Sequence, residues 1–551
     1  MRTLRFTAPV SFFVVLMACG SSEQPNAFVP DPLGTSDSGA PNLGLGDAAA
    51  DASDPNKPAN CDSAAVSRSY LGCEFWPTIT YNPFLDNTFD FSVVVANPQA
   101  VAVELQLTKG ADYSKSVRVD PGQLVKVTLP WVQSLKGVVN EQTGAPLGSV
   151  RVDGGAFKLV SSLPVVAYQF NPLEYKAGGS SSPAGKDWSA CKNPPNSGQT
   201  DCFSYTNDAS LLLPTTALTG NYSVYGPPSN SSIPYGGASL AFAAITFTKN
   251  NSSVSLKLSA TANIRGGVGV SSASAGQTVQ LTGNAGDVIQ LQSQSASDDL
   301  SGTTLRSDSP LQVITGLPCT YMPYTKQACD HIEETLFPQE TWGSHYFVVP
   351  PTGPKADVPG MLVRLHGSAN QTQLRYAPSK PAGCPDVLQP GQTLSCGTFG
   401  SESSIVREPF EVTGDHEFAV TTYQLGGQLT DPNYVGLPEG DPSQSQMVSV
   451  QQYRTEYTFL TPNDYATSIV DVVSADGVDV ILDESTTVSP AVSLSGGMVL
   501  RRIVLPNNGD GTHHIRSSKP FGIQVIGYGK NTSYQYPGGL NLAKIASLPI
   551  Q

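Results

Sequence analysis

The densest group of reactive side chains in the sequence is Cys329-Asp330-His331 followed by Glu333 and Glu334. A histidine beside carboxylates is how an imidazole is tuned for proton transfer, and how many metal sites begin. The same residues read structurally if Cys329 is bridged to Cys319, with Asp330 and His331 hydrogen-bonding the loop and capping a short helix in 329–340. The structural reading is preferred, because the sequence supplies no matching nucleophile and no third ligand. A catalytic or metal site would need His345, His416 or an acidic residue from a neighbouring segment to converge on the group.

Other polar runs are weaker. Asn507-Asn508-Gly509-Asp510-Gly511 resembles a calcium loop, but His513 and His514 follow where a distal acidic ligand is needed. A hairpin turn is expected there, since Asn-Gly and Asp-Gly accept positive φ. Asp298-Asp299 and Gly440-Asp441 also read as turns. There is no Gly-x-Ser-x-Gly elbow, HExxH helix or phosphate-binding loop. The six histidines lack paired spacing for zinc, and no CxxC occurs. Neither an enzyme nor a cofactor is expected.

Nine cysteines are present, at positions Cys19, Cys61, Cys73, Cys191, Cys202, Cys319, Cys329, Cys384 and Cys396. Without Cys19 the remainder is even and falls into the local couples 61/73, 191/202, 319/329 and 384/396. Nearest-neighbour disulfides in an oxidising compartment are expected. Cys19 has another reading. Arg2 and Arg5 precede the apolar run 12–17, and Leu16-Met17-Ala18-Cys19 resembles a bacterial lipobox. Residues 1–19 are therefore expected to be a lipoprotein signal, with Cys19 lipidated and made the mature N-terminus. Gly20 and Ser21 stand where an inner-membrane retention signal usually places Asp, so outer-membrane or cell-surface delivery is expected. Residues 20–60, rich in Ala, Gly, Ser, Pro and Asp, read as a disordered tether reaching roughly 35 Å.

These side chains must be positioned by strands. Of 551 residues only 14% are charged, while 39% are hydrophobic and Gly (52) and Pro (44) are abundant, a mixture that favours strands and turns. The net charge of −14, with 31 basic residues, excludes a nucleic-acid partner. Two elements recur. One is a Gly-Gln or Gly-Asp turn followed by alternating apolar residues, as at Pro121-Gly122-Gln123, Ala275-Gly276-Gln277 and Pro390-Gly391-Gln392. The other is a polar turn ending in Pro before a second strand, at Ser161–Pro164, Ser307–Pro310 and Ser517–Pro520. Thr413-Gly414-Asp415 keeps the turn without its Pro. A repeat of about 100–145 residues exceeds a propeller blade or solenoid rung and suits a small sandwich. The expected fold is all-β: tandem β-sandwich-like repeats packed in one array. The expected division is an entry segment at 61–84 and repeats at 85–207, 208–329, 330–439 and 440–551.

Over 69–545 the sequence resembles the IgGFc-binding protein N-terminal domain family, which includes surface lipoproteins of myxobacteria-like bacteria. The resemblance rests on Asp299–Leu305, the Ser307–Pro310 turn, Cys319, Cys329-Asp330-His331 with Glu334, Pro338 and Trp342-Gly343. It continues through Gly440–Ser443, Tyr457–Phe459 and the run from Tyr528 to Leu540. The lost Pro of the third repeat and Leu336-Phe337 depart from the family pattern. The resemblance implies an extracellular, non-catalytic binding or matrix module and supplies no catalytic residues.

Function is thus expected to be adhesion or binding by a surface-anchored lipoprotein, its partners being the membrane and an extracellular protein or glycan. The alternatives are a self-associating matrix component and, less favoured, a glycan-active or proteolytic enzyme. Among the four Trp, Trp342 is expected in the core, while Trp188 stands open between core and exposed surface; Trp76 and Trp131 complete the set.

Overall fold

A computed structural model describes residues 56–138, 148–179, 181–189, 191, 202–231, 238–327, 329–487, 489–506 and 510–546. Cys19, expected to carry a lipid, the expected signal at 1–19 and most of the expected 20–60 tether lie outside these residues. Residues 52–551 form one compact unit. The fold is all-β, with several sandwich-like units in tandem. Described α-helices are short, the longest being Cys61–Ser67.

One pairing scheme occurs four times. In the first repeat Tyr113–Val119, Val103–Lys109, the first half of Lys158–Phe170 and Gly72–Phe75 make one sheet. Leu124–Leu129, Phe91–Ala96, the second half of Lys158–Phe170 and Ala209–Leu211 make the other. The second repeat pairs Thr278–Gly283, Ser252–Lys257, Thr304–Ser307 and Asn221–Ser223. Its other sheet runs Val288–Gln292, Phe242–Phe247, Leu311–Thr320 and Asp330–Thr335, with Val150–Val152 added at the edge. The third and fourth follow suit and end on Gln444–Gln446 and Thr532–Pro537. The closing strands of the first three repeats, Ala209–Leu211, Asp330–Thr335 and Gln444–Gln446, begin at or just past the sequence marks at 207/208, 329/330 and 439/440.

The recurring Ser-x-x-Pro element is the corner at which the chain leaves one sheet for the other. In the first and fourth repeats it is not a turn between two strands, as expected, but the middle of one continuous strand. Lys158–Phe170 pairs with Val103–Lys109 up to Ser161, then with Phe91–Ala96 from Val166. Thr512–Gly529 likewise changes partners between Ser517 and Gly522. A strand switching sheets leaves its ladder at the corner, where proline's missing N–H costs nothing. In the second and third repeats the strand breaks there, at Asp308–Pro310 and Asp415–Glu417.

The glycine turn precedes the same strand in every repeat, with Gly122, Gly286, Gly391 and Gly497 at φ +67°, +90°, +66° and +71°. Only glycine adopts that left-handed backbone cheaply. In the second repeat the equivalent is therefore Gly286-Asp287, one strand later than Gly276-Gln277. Two further expectations are corrected. Asp330–Thr335 is a strand, paired with Leu311–Thr320, and the only helical turn in 329–340 is the short 3-10 segment Gln339–Thr341. Pairing on a buried sheet overrides the local pattern there. The connection through 506–511 is no hairpin, because Met498–Leu505 and Thr512–Gly529 lie on opposite sides of Thr467–Ala475. Asn507, Asn508 and Gly509 themselves lie outside the described residues.

Candidate functional site

The four closing strands meet. Ala209–Leu211 packs on Asp330–Thr335, that strand on Gln444–Gln446, that on Thr532–Pro537, and the last returns to the first. Each follows or begins with an equivalent residue: Asp208, Asp330, Asp441 and Thr532, within Asn-Asp, Cys-Asp, Gly-Asp and Asn-Thr. The tandem thereby closes on a hub of polar side chains, nearly all inaccessible to solvent.

Hydrogen bonds cross between repeats at this hub. Asp208 Oδ2 accepts the Glu333 backbone N–H at 2.9 Å and that of Gln444 at 3.3 Å, tying the first repeat to the second and third. The Asp330 carboxylate accepts the Asn207 N–H, and Thr532 Oγ1 donates to its second oxygen at 3.4 Å. Ser210 Oγ donates to Glu334 Oε1 at 2.8 Å. Gln446 Nε2 donates to the Thr335 carbonyl, and Gln524 Nε2 to the Gln446 carbonyl at 2.9 Å. Asp441 is different, since neither carboxylate oxygen has a hydrogen-bond partner among the described residues.

Burial sets the electrostatics. Desolvation holds the carboxyls of Asp208, Asp330, Asp441 and Glu334 well above their ordinary range. Asp330 is raised further by Asp441 and Asp208, because like charges in a dry interior resist ionising together. Asp330, expected from the sequence to cap a short helix, instead starts a strand and binds the neighbouring repeat.

His331 packs flat on Phe242, with ring centroids 5.9 Å apart, and its Nε2 lies 3.1 Å from Glu333 Oε2. Neither His345 nor His416 joins it. His345 faces Glu411 at 2.7 Å, in another sandwich. Asp208 and Asp441 do approach Asp330, but inside the protein rather than in a cleft. Among the described residues no group of three or more His, Cys, Asp or Glu is arranged to hold a metal ion. Asp510, in the loop once compared with a calcium site, accepts from the backbone N–H groups of Leu124 and Thr512 instead. His513 and His514 pair with Asp483 and Glu456. Asp298 closes a turn on Ser295, whereas Asp299 forms an ion pair with buried Arg364 from the next repeat.

Bridges join Cys61 to Cys73, Cys191 to Cys202, Cys319 to Cys329 and Cys384 to Cys396. Trp342 is in the core, 2% exposed, and donates its indole N–H to the Phe337 carbonyl at 3.2 Å. Trp188 is half-buried, edge-on to Phe89 and beneath Lys186. Two open clefts mark the outer surface. One, of about 990 Å³, is lined by Phe84, Asp86, Gln133, Lys136 and Lys186. The other, of about 770 Å³, is more apolar and runs between the third and fourth repeats past Phe347, Pro378, Phe410, Val492 and Leu494. Sequence reading missed Asp208, Asp441 and the Arg364–Asp299 pair. An alignment of the four Asp/Thr positions before the closing strands would have exposed the hub.

A stretch of 143 residues is 32% identical to the human protein named IgGFc-binding protein, covering 26% of this chain and 2% of that much longer one. A solved tetra-tandem repeat from the extending region of a large adhesion protein aligns over 83% of this chain and 97% of its own, at 9% identity. Its TM-score of 0.08 gives it no bearing on the fold. The family profile described as IgGFc binding protein matches residues 208–527, more than half of the chain. Those residues hold three of the four hub positions and both partners of the Arg364–Asp299 pair, and the chain belongs to that family.

Proposed function

We propose that the chain is a surface-anchored binding or adhesion lipoprotein of a bacterial outer membrane. In this reading Cys19 carries the lipid, residues 20–60 space the module from the membrane, and the outer surface of the repeats takes an extracellular protein or glycan. The observation that carries it is the complete burial of Asp330, His331, Glu333 and Glu334, all 0% exposed, so that no external substrate reaches them. The two clefts offer a partner polar and apolar contacts instead. No described helix is long and apolar enough to cross a membrane, so an anchor at Cys19 would supply the attachment.

The test is capture by the full mature chain from its native envelope and extracellular matrix. A protein or glycan should be retained in near-stoichiometric amount and recovered with unchanged mass. Recovery of shortened partners would favour the enzyme alternative, and recovery of the chain alone the self-associating matrix. Anchoring is checked separately. An alkyne fatty acid should label the wild type and not Cys19→Ala, and equal labelling of both would exclude lipidation at Cys19.

A further inference from the structure

One sheet of each repeat stops at an equivalent outer strand with no described strand beyond it: Tyr113–Val119, Thr278–Gly283, Val387–Leu388 and Ser485–Thr486. An open edge is a template for pairing with another chain, and proteins blunt it with charge, proline or brevity. Three of the four are blunted. Tyr113–Val119 carries Lys115 and Arg118. Val387–Leu388 has only two residues and is soon followed by Pro390. Ser485–Thr486 is as short and follows Asp483 and Glu484. Thr278–Gly283 is different. It has six residues, Thr-Val-Gln-Leu-Thr-Gly, and the chain carries no charged residue from 266 to 286.

The backbone of this strand offers its outer side at alternate residues. Leu258 N–H donates to the Gln277 carbonyl at 2.9 Å, and Asp308 N–H to the Ser253 carbonyl at 3.3 Å. In antiparallel ladders those bonds fix the parity of the rest. Val279 and Leu281 bond inward to Ser252–Lys257, while Thr278, Gln280 and Thr282 turn their backbone groups outward. The Thr282 carbonyl agrees with this, since it takes Arg151 Nη1 at 2.6 Å from outside the sheet. Among the side chains, Thr278, Gln280 and Thr282 are exposed. Val279 and Leu281 pack against the core yet stay half-buried, so the sandwich is open along this edge.

We propose that a second copy of the chain fills this edge, by antiparallel pairing of Thr278–Thr282 with itself about a two-fold axis at Gln280. The pattern of residue types is the same in both directions. Thr278 meets the partner's Thr282, Val279 the partner's Leu281, and Gln280 the partner's Gln280. Each Gln280 N–H donates to the partner's Gln280 carbonyl, and each Thr282 N–H to the partner's Thr278 carbonyl. Val279 and Leu281 cover one another across the contact and close both cores. An axis at Val279 or Leu281 would instead set the other apolar residue against Gln277 or Gly283. A chain of net charge −14 repels its own copy, and an uncharged edge is where two copies meet with least repulsion. The two-fold axis closes the contact, so it yields a dimer and not an open matrix. So short a pairing buries less than the ~1,200–2,000 Å² of a stable interface, which makes the dimer concentration-dependent.

Sedimentation equilibrium of the purified full chain tests this. Wild type should pass from monomer towards dimer between roughly 1 and 500 µM, the range of a weak interface. Gln280→Lys and Gln280→Glu should each stay monomeric, because like charges then stand directly opposite. An equimolar mixture of the two should dimerise at least as well as wild type. Position 280 is exposed, so both variants should keep the wild-type circular dichroism. The Thr278, Gln280 and Thr282 amides should exchange more slowly at high concentration in wild type and not in Gln280→Lys. A wild type that stays monomeric throughout would overturn the proposal. So would a Gln280→Lys variant that dimerises as strongly as wild type, or a charge mixture that remains monomeric.

Discussion

At Asp441 two carboxylate oxygens are buried with no donor among the described residues, and burial raises the folded-state pKa well above that of the unfolded chain. A raised carboxyl pKa means that the folded state holds its proton more tightly. The linked stability is complete below the unfolded pKa and is lost as pH rises through the folded value. Asp441→Asn keeps the shape and removes the charge. It is expected to unfold about 1–3 kcal/mol later than wild type at neutral pH and to flatten the loss towards alkaline pH. Denaturant titrations across pH check this, and a variant less stable than wild type at alkaline pH contradicts it. Asp299 has the opposite sign. Burial alone would raise its pKa, but the Arg364 guanidinium outweighs that and holds it below the usual range. Its contribution is present above the unfolded pKa and is lost as pH falls through the folded one. Arg364→Met strands the carboxylate, so a loss of about 3–5 kcal/mol is expected at neutral pH, shrinking in acid as Asp299 protonates. An unchanged loss at low pH would show that packing, not charge, is what Arg364 supplies.

Local disulfides brace the repeats. Cys384 and Cys396 are buried in the third sandwich's core, and their bridge closes the loop leading into Thr393–Ser395. Replacing both by Ala should cost about 2–4 kcal/mol by freeing the unfolded loop. Non-reducing peptide maps should recover all four local pairs, and any linkage across couples contradicts the scheme. Much at this scale was legible in the sequence. Period-two alternation marked the strands, and the glycine turns and Ser-x-x-Pro corners gave the repeat, because both answer local backbone demands. What escaped is non-local. Nothing in Ser161–Pro164 says that the strand runs on through the corner, since its partners Val103–Lys109 and Phe91–Ala96 lie far away in the chain. Asp330–Thr335 looked helical because its acidic residues suggest a cap, and only the neighbouring repeats make burying them tolerable. The hub escaped for the same reason, since Asp208, Asp330 and Asp441 show their common place only when the strands that close three repeats are set side by side.

Taken as a whole, residues 52–551 are four sandwiches whose closing strands each pack on the next, with reactive groups inside and clefts outside. Such closure makes every repeat depend on two neighbours, unlike an open tandem in which an end repeat can detach. A module that presents a binding surface gains from this, because the relative positions of its outer loops are held by the interior. Native-state hydrogen exchange of the full chain, read by mass spectrometry, tests this cooperative closure most directly. The closing strands Ala209–Leu211, Asp330–Thr335, Gln444–Gln446 and Thr532–Pro537 should be among the slowest to exchange, and all four should open together in one global event. Exchange of the repeats in separate blocks, with the last closing strand opening well before the first, would contradict the closed arrangement.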